Sequence, residues 1–117
     1  MVKLMVYNSE HLGVATTNSY VSLLKEKLPE HEYVTLVVTN SGDTNDATVK
    51  VLVSNDPEGS ATSFVPLEVS TGVTETVIGE ADGKPIMVSA PFHWVDVQVK
   101  STSSSNATTV NVWLMAR

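Results

Sequence analysis

Two stretches decide the fold: Phe92-His-Trp-Val-Asp-Val-Gln-Val-Lys100 and Thr108-Thr-Val-Asn-Val-Trp-Leu-Met-Ala116. In the first, Val95, Val97 and Val99 face one way while Trp94, Asp96, Gln98 and Lys100 face the other. In the second, Val110, Val112 and Leu114 alternate with Asn111, Trp113 and Met115. A period of two is the signature of a strand with one face in a core. The Ser/Thr/Asn run between the stretches is turn material, so together they predict a β-hairpin. A turn centred on Ser103-Ser104 sets Val95 opposite Val112, Val97 opposite Val110, and Trp94 opposite Trp113. Such an aromatic cross-strand pair would contribute about 0.5–1 kcal/mol.

Working outward, the same pattern recurs. Glu32 to Asn40 places Val34, Leu36 and Val38 on one face, and Ala47 to Asn55 does the same with Val49, Val51 and Val53. Between them, Ser41-Gly-Asp-Thr-Asn-Asp46 reads as a turn, as does Asp56-Pro-Glu-Gly-Ser60. Thr62 to Val69 carries Pro66, which marks an edge or a bulge. Val73 to Ile78 and Pro85 to Ala90 are further strands, and Asp82-Gly83 forms the tip of a hairpin turn between them. Near the start, Lys3 to Asn8 reads as a strand and Glu10 to Ser19 as a loop. For Tyr20 to Leu28 the alternation is poor, whereas Leu24 and Leu28 stand four apart and Asn18 or Ser19 supplies a cap. A short helix near residues 20–28, closed by Pro29, is therefore expected.

About eight short strands at intervals of roughly ten residues predict an all-β fold, an antiparallel β-sandwich or jelly roll. At 117 residues the chain is expected to form one domain, 1–117, with residues 1–8 as an N-terminal arm or edge strand. With 42% hydrophobic and 17% charged residues it has globular composition. A net charge of −6, with no basic stripe, argues against a nucleic-acid partner. No run of residues reaches the length of a membrane span, and the apolar start is too short for a signal peptide, so synthesis in a cytoplasm without export is expected. With no cysteine, disulfides, thiolate metal sites and thiol catalysis are excluded.

Candidate chemistry is sparse. His11, His31 and His93 lack metal-ligand spacing, and no serine motif supports a triad around His93. Asp43, Asp46, Asp56 and Glu58 lie in two loops that, if neighbouring, would offer oxygen ligands for calcium. Asp and Asn are equally favoured in solvated turns. Asn106-Ala-Thr108 fits the glycosylation pattern but has no consequence without export. No cofactor, no metal and no catalytic residue is therefore assigned. The aromatic residues are the better candidates for recognition: Trp94 and Trp113 on the second face of the hairpin would pack under the chain itself, meet another subunit, or stack on a carbohydrate.

The phrases Val37-Val-Thr-Asn-Ser-Gly-Asp-Thr44, Ala47-Thr-Val-Lys-Val-Leu-Val-Ser-Asn-Asp56, Pro91-Phe-His-Trp-Val-Asp-Val-Gln-Val-Lys-Ser-Thr102 and Thr109-Val-Asn-Val-Trp-Leu114 resemble a pattern recurrent in small structural proteins of tailed bacteriophages. The resemblance runs from about Tyr33 to the end. It implies a non-enzymatic virion protein of the capsid decoration (cement) kind, sitting on the outer capsid surface and made in the host cytoplasm. The implied partners are the major capsid protein and other copies of the chain, as a homo-oligomer (dimer or trimer). Interface residues would then be Leu4, Val6 and Tyr7 of the arm, with Trp94, Trp113 and Met115. A carbohydrate-binding or host-receptor-binding module is the alternative.

Overall fold

In the computed structural model, residues 7–31, 33–42, 45–88, 92–103 and 107–117 are described. Nine strands are named among them: β1 (Tyr7–Ala15), β2 (Val21–Lys27), β3 (Val34–Asn40), β4 (Ala47–Ser54), β5 (Val65–Pro66), β6 (Glu75–Ile78), β7 (Gly83–Val88), β8 (Trp94–Ser101) and β9 (Thr109–Ala116). One 3-10 turn, Ala61–Ser63, precedes β5. The first sheet has the order β1-β9-β3-β7. The second runs β2-β8-β4, with β5 and β6 both pairing to the free side of β4. Every strand pair is antiparallel.

The pairings are nested. β4 pairs with β5 and β6, β3 with β7, β2 with β8, and β1 with β9. The chain is thus one long hairpin rolled up on itself, its tip near residues 55–64. Counting β5 and β6 as one interrupted edge gives eight strand positions in two sheets, the jelly roll. The all-β expectation holds, and the jelly roll is the member of the expected pair that forms.

The valine faces meet in one core between the sheets. Leu36, Val38, Val97, Val99, Val110 and Val112 are all fully buried, and Val34, Val49, Val51, Val95 and Leu114 nearly so. Each such side chain contributes about 1.5–3 kcal/mol of burial, so this shared face is what aligns the sheets.

The pairing of those faces differs from the hairpin expectation. β8 lies in the second sheet and β9 in the first, so the chain between them crosses the sandwich. Val97 pairs with Leu24 and Val51, and Val110 with Val14 and Asn40. The valines meet through the core instead of side by side in a ladder. The turn around Asp82-Gly83 is likewise a crossing, from β6 in the second sheet to β7 in the first. Alternation encodes which face of a strand is buried and is silent on its lateral neighbour.

Two other expectations are corrected. Residues 21–27 form β2, not a helix. A bulge between Ser22 and Leu24 inserts one residue against β8, so that consecutive Leu23 and Leu24 are both buried. That insertion erases the period of two and imitates a helical spacing. The expected loop 10–19 is strand as far as Ala15. β1 is a mostly exposed edge strand with a bulge between His11 and Val14, where Gly13 takes φ +69° and its N–H donates to Asn111 Oδ1 at 2.8 Å. A glycine bulge on a solvated edge carries the same composition as a loop.

A polar knot closes one end of the sandwich. Asn40 is buried; its Nδ2 donates to the carbonyls of Asn45 (2.7 Å) and Ile78 (3.2 Å), and its Oδ1 accepts from Gly42 N–H (3.0 Å) and Thr108 Oγ1 (2.7 Å). Thr108 N–H donates to Thr16 Oγ1 (2.9 Å), which in turn bonds Ser101 Oγ (2.9 Å). One asparagine thereby ties together the connections leaving β3, β6 and the β8–β9 crossing.

Candidate functional site

The outer faces of the two sheets differ in kind. On the second sheet, many of the side chains that point outward satisfy one another. Asp96 is buried and accepts from Ser22 Oγ and from Gln98 Nε2 (2.8 Å). The Tyr20 ring lies under Lys50 Nζ (4.1 Å) and Lys100 Nζ (5.0 Å), and its hydroxyl donates to Glu75. Burial, and then the Glu75 carboxylate, push the Tyr20 phenol well above its ordinary range. Lys25 Nζ sits 5.0 Å from the Phe64 ring centroid. These ion–ring and hydrogen-bond contacts cover much of this face, while Val77 of β6 stays 46% exposed on it.

Trp94 belongs to that face. The loop of residues 56–60 folds over it: Trp94 Nε1 donates to Pro57 O (3.2 Å), and a Cβ on Gly59 would stand 2.5 Å from the indole. Asp56 shapes the loop by accepting from the N–H groups of Glu58 (3.0 Å) and Ser60 (3.1 Å) and from Ser60 Oγ (2.6 Å). These bonds hold its carboxyl below the usual carboxylate range. Trp94 is therefore partly covered by its own chain.

The first sheet presents the opposite surface. Register sets Glu10, Trp113, Val37 and Pro85 in one row across all four strands, with Asn8, Met115 and Thr35 in the next. Trp113 is 39% exposed, Val37 37% and Met115 36%. Tyr33, which extends the β3–β9 ladder through its backbone bonds to Arg117, is 50% exposed at the end of the same face. Between β1 and β3 the surface dips into a cleft of about 450 Å³, with Trp113, Met115 and Val37 as its apolar part and Asn8, Glu10 and Thr35 as its polar rim. Exposed large apolar side chains gathered on one face mark an interaction surface.

Of the residues singled out from the sequence, Trp113 and Met115 line this cleft. Tyr7 stands at its edge but turns inward: it packs on the core and its hydroxyl donates to Glu26 Oε1 (2.7 Å) across to β2, which raises the phenol's pKa. Leu4 and Val6 lie outside the described residues. The Trp94–Trp113 pair does not form, since the rings sit in different sheets: Trp94 is opposite Lys27 and Ser54, Trp113 opposite Glu10 and Val37. Sequence reasoning missed Val37, because an outward valine in an alternating strand gives no separate signal.

The acidic loops do not converge. Asp46 precedes β4 and Asp56 and Glu58 follow it, which separates them by roughly 25 Å of strand. Asp43 lies outside the described residues. Among those residues no group of three His, Asp or Glu side chains stands where it could hold a metal ion. His31 and His93 share a second cleft near Phe92 and Asn55. The His31 ring is a structural tie there: Nδ1 bonds Pro29 O (2.7 Å) and Nε2 accepts from Phe92 N–H (3.4 Å). Among the described residues, no helix is long and apolar enough to cross a membrane.

No protein-family model matches this sequence, and no curated protein matches it. Solved structures do share its fold. A chain from the Bacillus endospore appendages, which form disulfide-linked pili, superposes with a TM-score of 0.58 at 11% identity, covering 95% of this chain and 87% of that one. The SPBc2 prophage-derived protein YomS gives 0.55 at 12% identity over 99% of both chains. PirA gives 0.50 at 8% identity over 97% and 94%. At these identities the likeness is one of fold: the chain is a small jelly roll of the kind found in a prophage protein and in a surface appendage.

Proposed function

We propose that residues 1–117 form one non-enzymatic domain that works as a virion structural protein, a decoration or cement protein binding the outer surface of a phage capsid through its first sheet. The observation that carries this reading is the outer face of the first sheet, where Trp113, Val37 and Met115 stand open together around a cleft. A surface of that kind fits a protein partner, because burying it gains apolar contact at the centre and leaves the one carboxylate, Glu10, at the rim. The end-to-end fold likeness to a prophage-derived protein and the phrases shared with phage structural proteins support the same reading. The appendage likeness supports assembly, but through other chemistry than disulfides, since this chain has no cysteine.

Binding to capsid shells assembled without the protein tests the proposal. Wild type is expected to saturate the shells and raise the temperature at which they open, while Trp113→Ala binds at least tenfold more weakly. Failure of the wild type to bind, with shell stability unchanged, overturns the decoration role. One observation favours the carbohydrate alternative: Trp113 offers a ring face beside the polar groups of Asn8, Glu10 and Thr35. Glycan-array binding that disappears in Trp113→Ala would establish that reading instead.

A further inference from the structure

We infer that the outer face of the second sheet is a docking surface for a short acidic segment of a partner protein, on the side of the sandwich away from the first-sheet cleft. Strand register gathers lysines there. Lys25 and Lys27 of β2 stand opposite Asp96 and Trp94 of β8, Lys50 of β4 opposite Gln98, and Lys100 of β8 opposite Thr48. Four of the chain's seven basic residues thus share this face. The outward positions of β2, β4, β6 and β8 carry two carboxylates, Asp96 and Glu75, and both are engaged. Asp96 is buried and accepts from Ser22 and Gln98, while Glu75 accepts from Tyr20. Rings hold the lysines in place: Lys50 and Lys100 lie against Tyr20, and Lys25 against Phe64. A neutral ring positions an ammonium group and leaves its charge unbalanced. Two such charges on one ring repel each other, and an incoming carboxylate relieves that repulsion.

The net charge of −6 limits the occupant to a short one. Beyond the lysine stripe the molecule is acidic, so a long polyanion gains on the stripe and is repelled on either side of it. The loop over Trp94, with Asp56 and Glu58, bounds the stripe at that end. From the row of Lys27 and Trp94 to Lys100 is six residues along β8, about 20 Å, the length of about six extended residues. Apolar groups border the stripe: Val77 opposite Thr48 is 46% exposed, and Pro66 opposite Leu52 is exposed. A polypeptide that mixes Glu or Asp with apolar side chains covers both kinds of surface, whereas a phosphate backbone sets charge against the apolar border. The lysines come from three strands, so the sequence contains no basic run to announce the stripe.

The test titrates the full chain into a fluorescent peptide, Glu-Val-Glu-Ser-Glu-Val, and reads anisotropy. Wild type is expected to bind saturably and to lose about tenfold in affinity when salt rises from about 0.02 to 0.2 M. The same peptide with Gln for Glu should not bind. Two charge-reversed double variants, Lys50→Glu with Lys100→Glu and Lys25→Glu with Lys27→Glu, should each weaken binding about tenfold. The second pair is fully exposed and keeps the reading open if the first disturbs Tyr20; melting curves verify folding. Arginine at the same positions should preserve binding, and Trp113→Ala, on the opposite face, should bind like wild type. No binding by folded wild type, or full binding by both reversed variants, overturns the inference. An oligothymidylate or a sulfated glycan of equal charge that binds more tightly than the peptide overturns the protein occupant. None of these readouts involves a capsid shell, so they fail or succeed apart from the decoration role.

Discussion

Asn40 shows how much one polar side chain can organise. In the sequence it is the last residue of an alternating strand, beside a Ser-Gly turn, and nothing there separates it from any other turn asparagine. In the fold it is 1% exposed and fills its donor and acceptor capacity with four partners from three segments. Removing it strands buried carbonyls and donors, each costing about 1–3 kcal/mol. Asn40→Ala is therefore expected to lose about 3 kcal/mol in urea unfolding, a large change for an alanine substitution. A loss under 1 kcal/mol would mean that water replaces the knot. Trp94 and Trp113 make the converse point. They are chemically identical and similarly placed in alternating strands, yet one is capped by the loop around Gly59, whose φ of +64° and missing Cβ admit the ring. The other remains open. That difference belongs to the surroundings of each residue, and no local pattern carries it.

Among the strands, the central ones were legible and the edges were not. β3, β4, β8 and β9 are flanked on both sides, and their inward valines impose strict alternation. β1 and β2 are edges with bulges, which break the period exactly where a loop or a helix was expected. Bulges also protect such edges from adventitious pairing. Tyr20 braces the second sheet from outside, touching Lys100 of β8, Lys50 of β4 and Glu75 of β6. Its phenol pKa in the fold lies above the ordinary 10. The folded form keeps a proton that the unfolded chain releases, so stability is whole below about pH 10 and falls as the pH climbs further. Tyr7 acts in the same direction. Melting curves from pH 8 upward should show a shallower alkaline loss for Tyr20→Phe than for wild type; identical slopes would remove Tyr20 as the source.

For the molecule as a whole, the nested pairing governs both folding and exposure. β1 meets β9 across about a hundred residues, and only β4 with β5 and β6 closes a short loop. Long-range pairing must be reached before it is rewarded, so refolding is expected in the millisecond-to-second range, as for other β-rich topologies. Stopped-flow mixing measures it, and microsecond refolding would contradict the rolled-hairpin order. The same winding brings Trp113, Val37 and Met115 together on the outer face of the first sheet. By itself the sequence determined the class of fold and the identity of the core valines, because burial against a single face writes a period of two into the chain. Which strands are neighbours, which tryptophan the chain folds over and where the exposed cleft forms were decided only by tertiary structure. Those depend on contacts between residues far apart in the chain, and alternation holds no record of them.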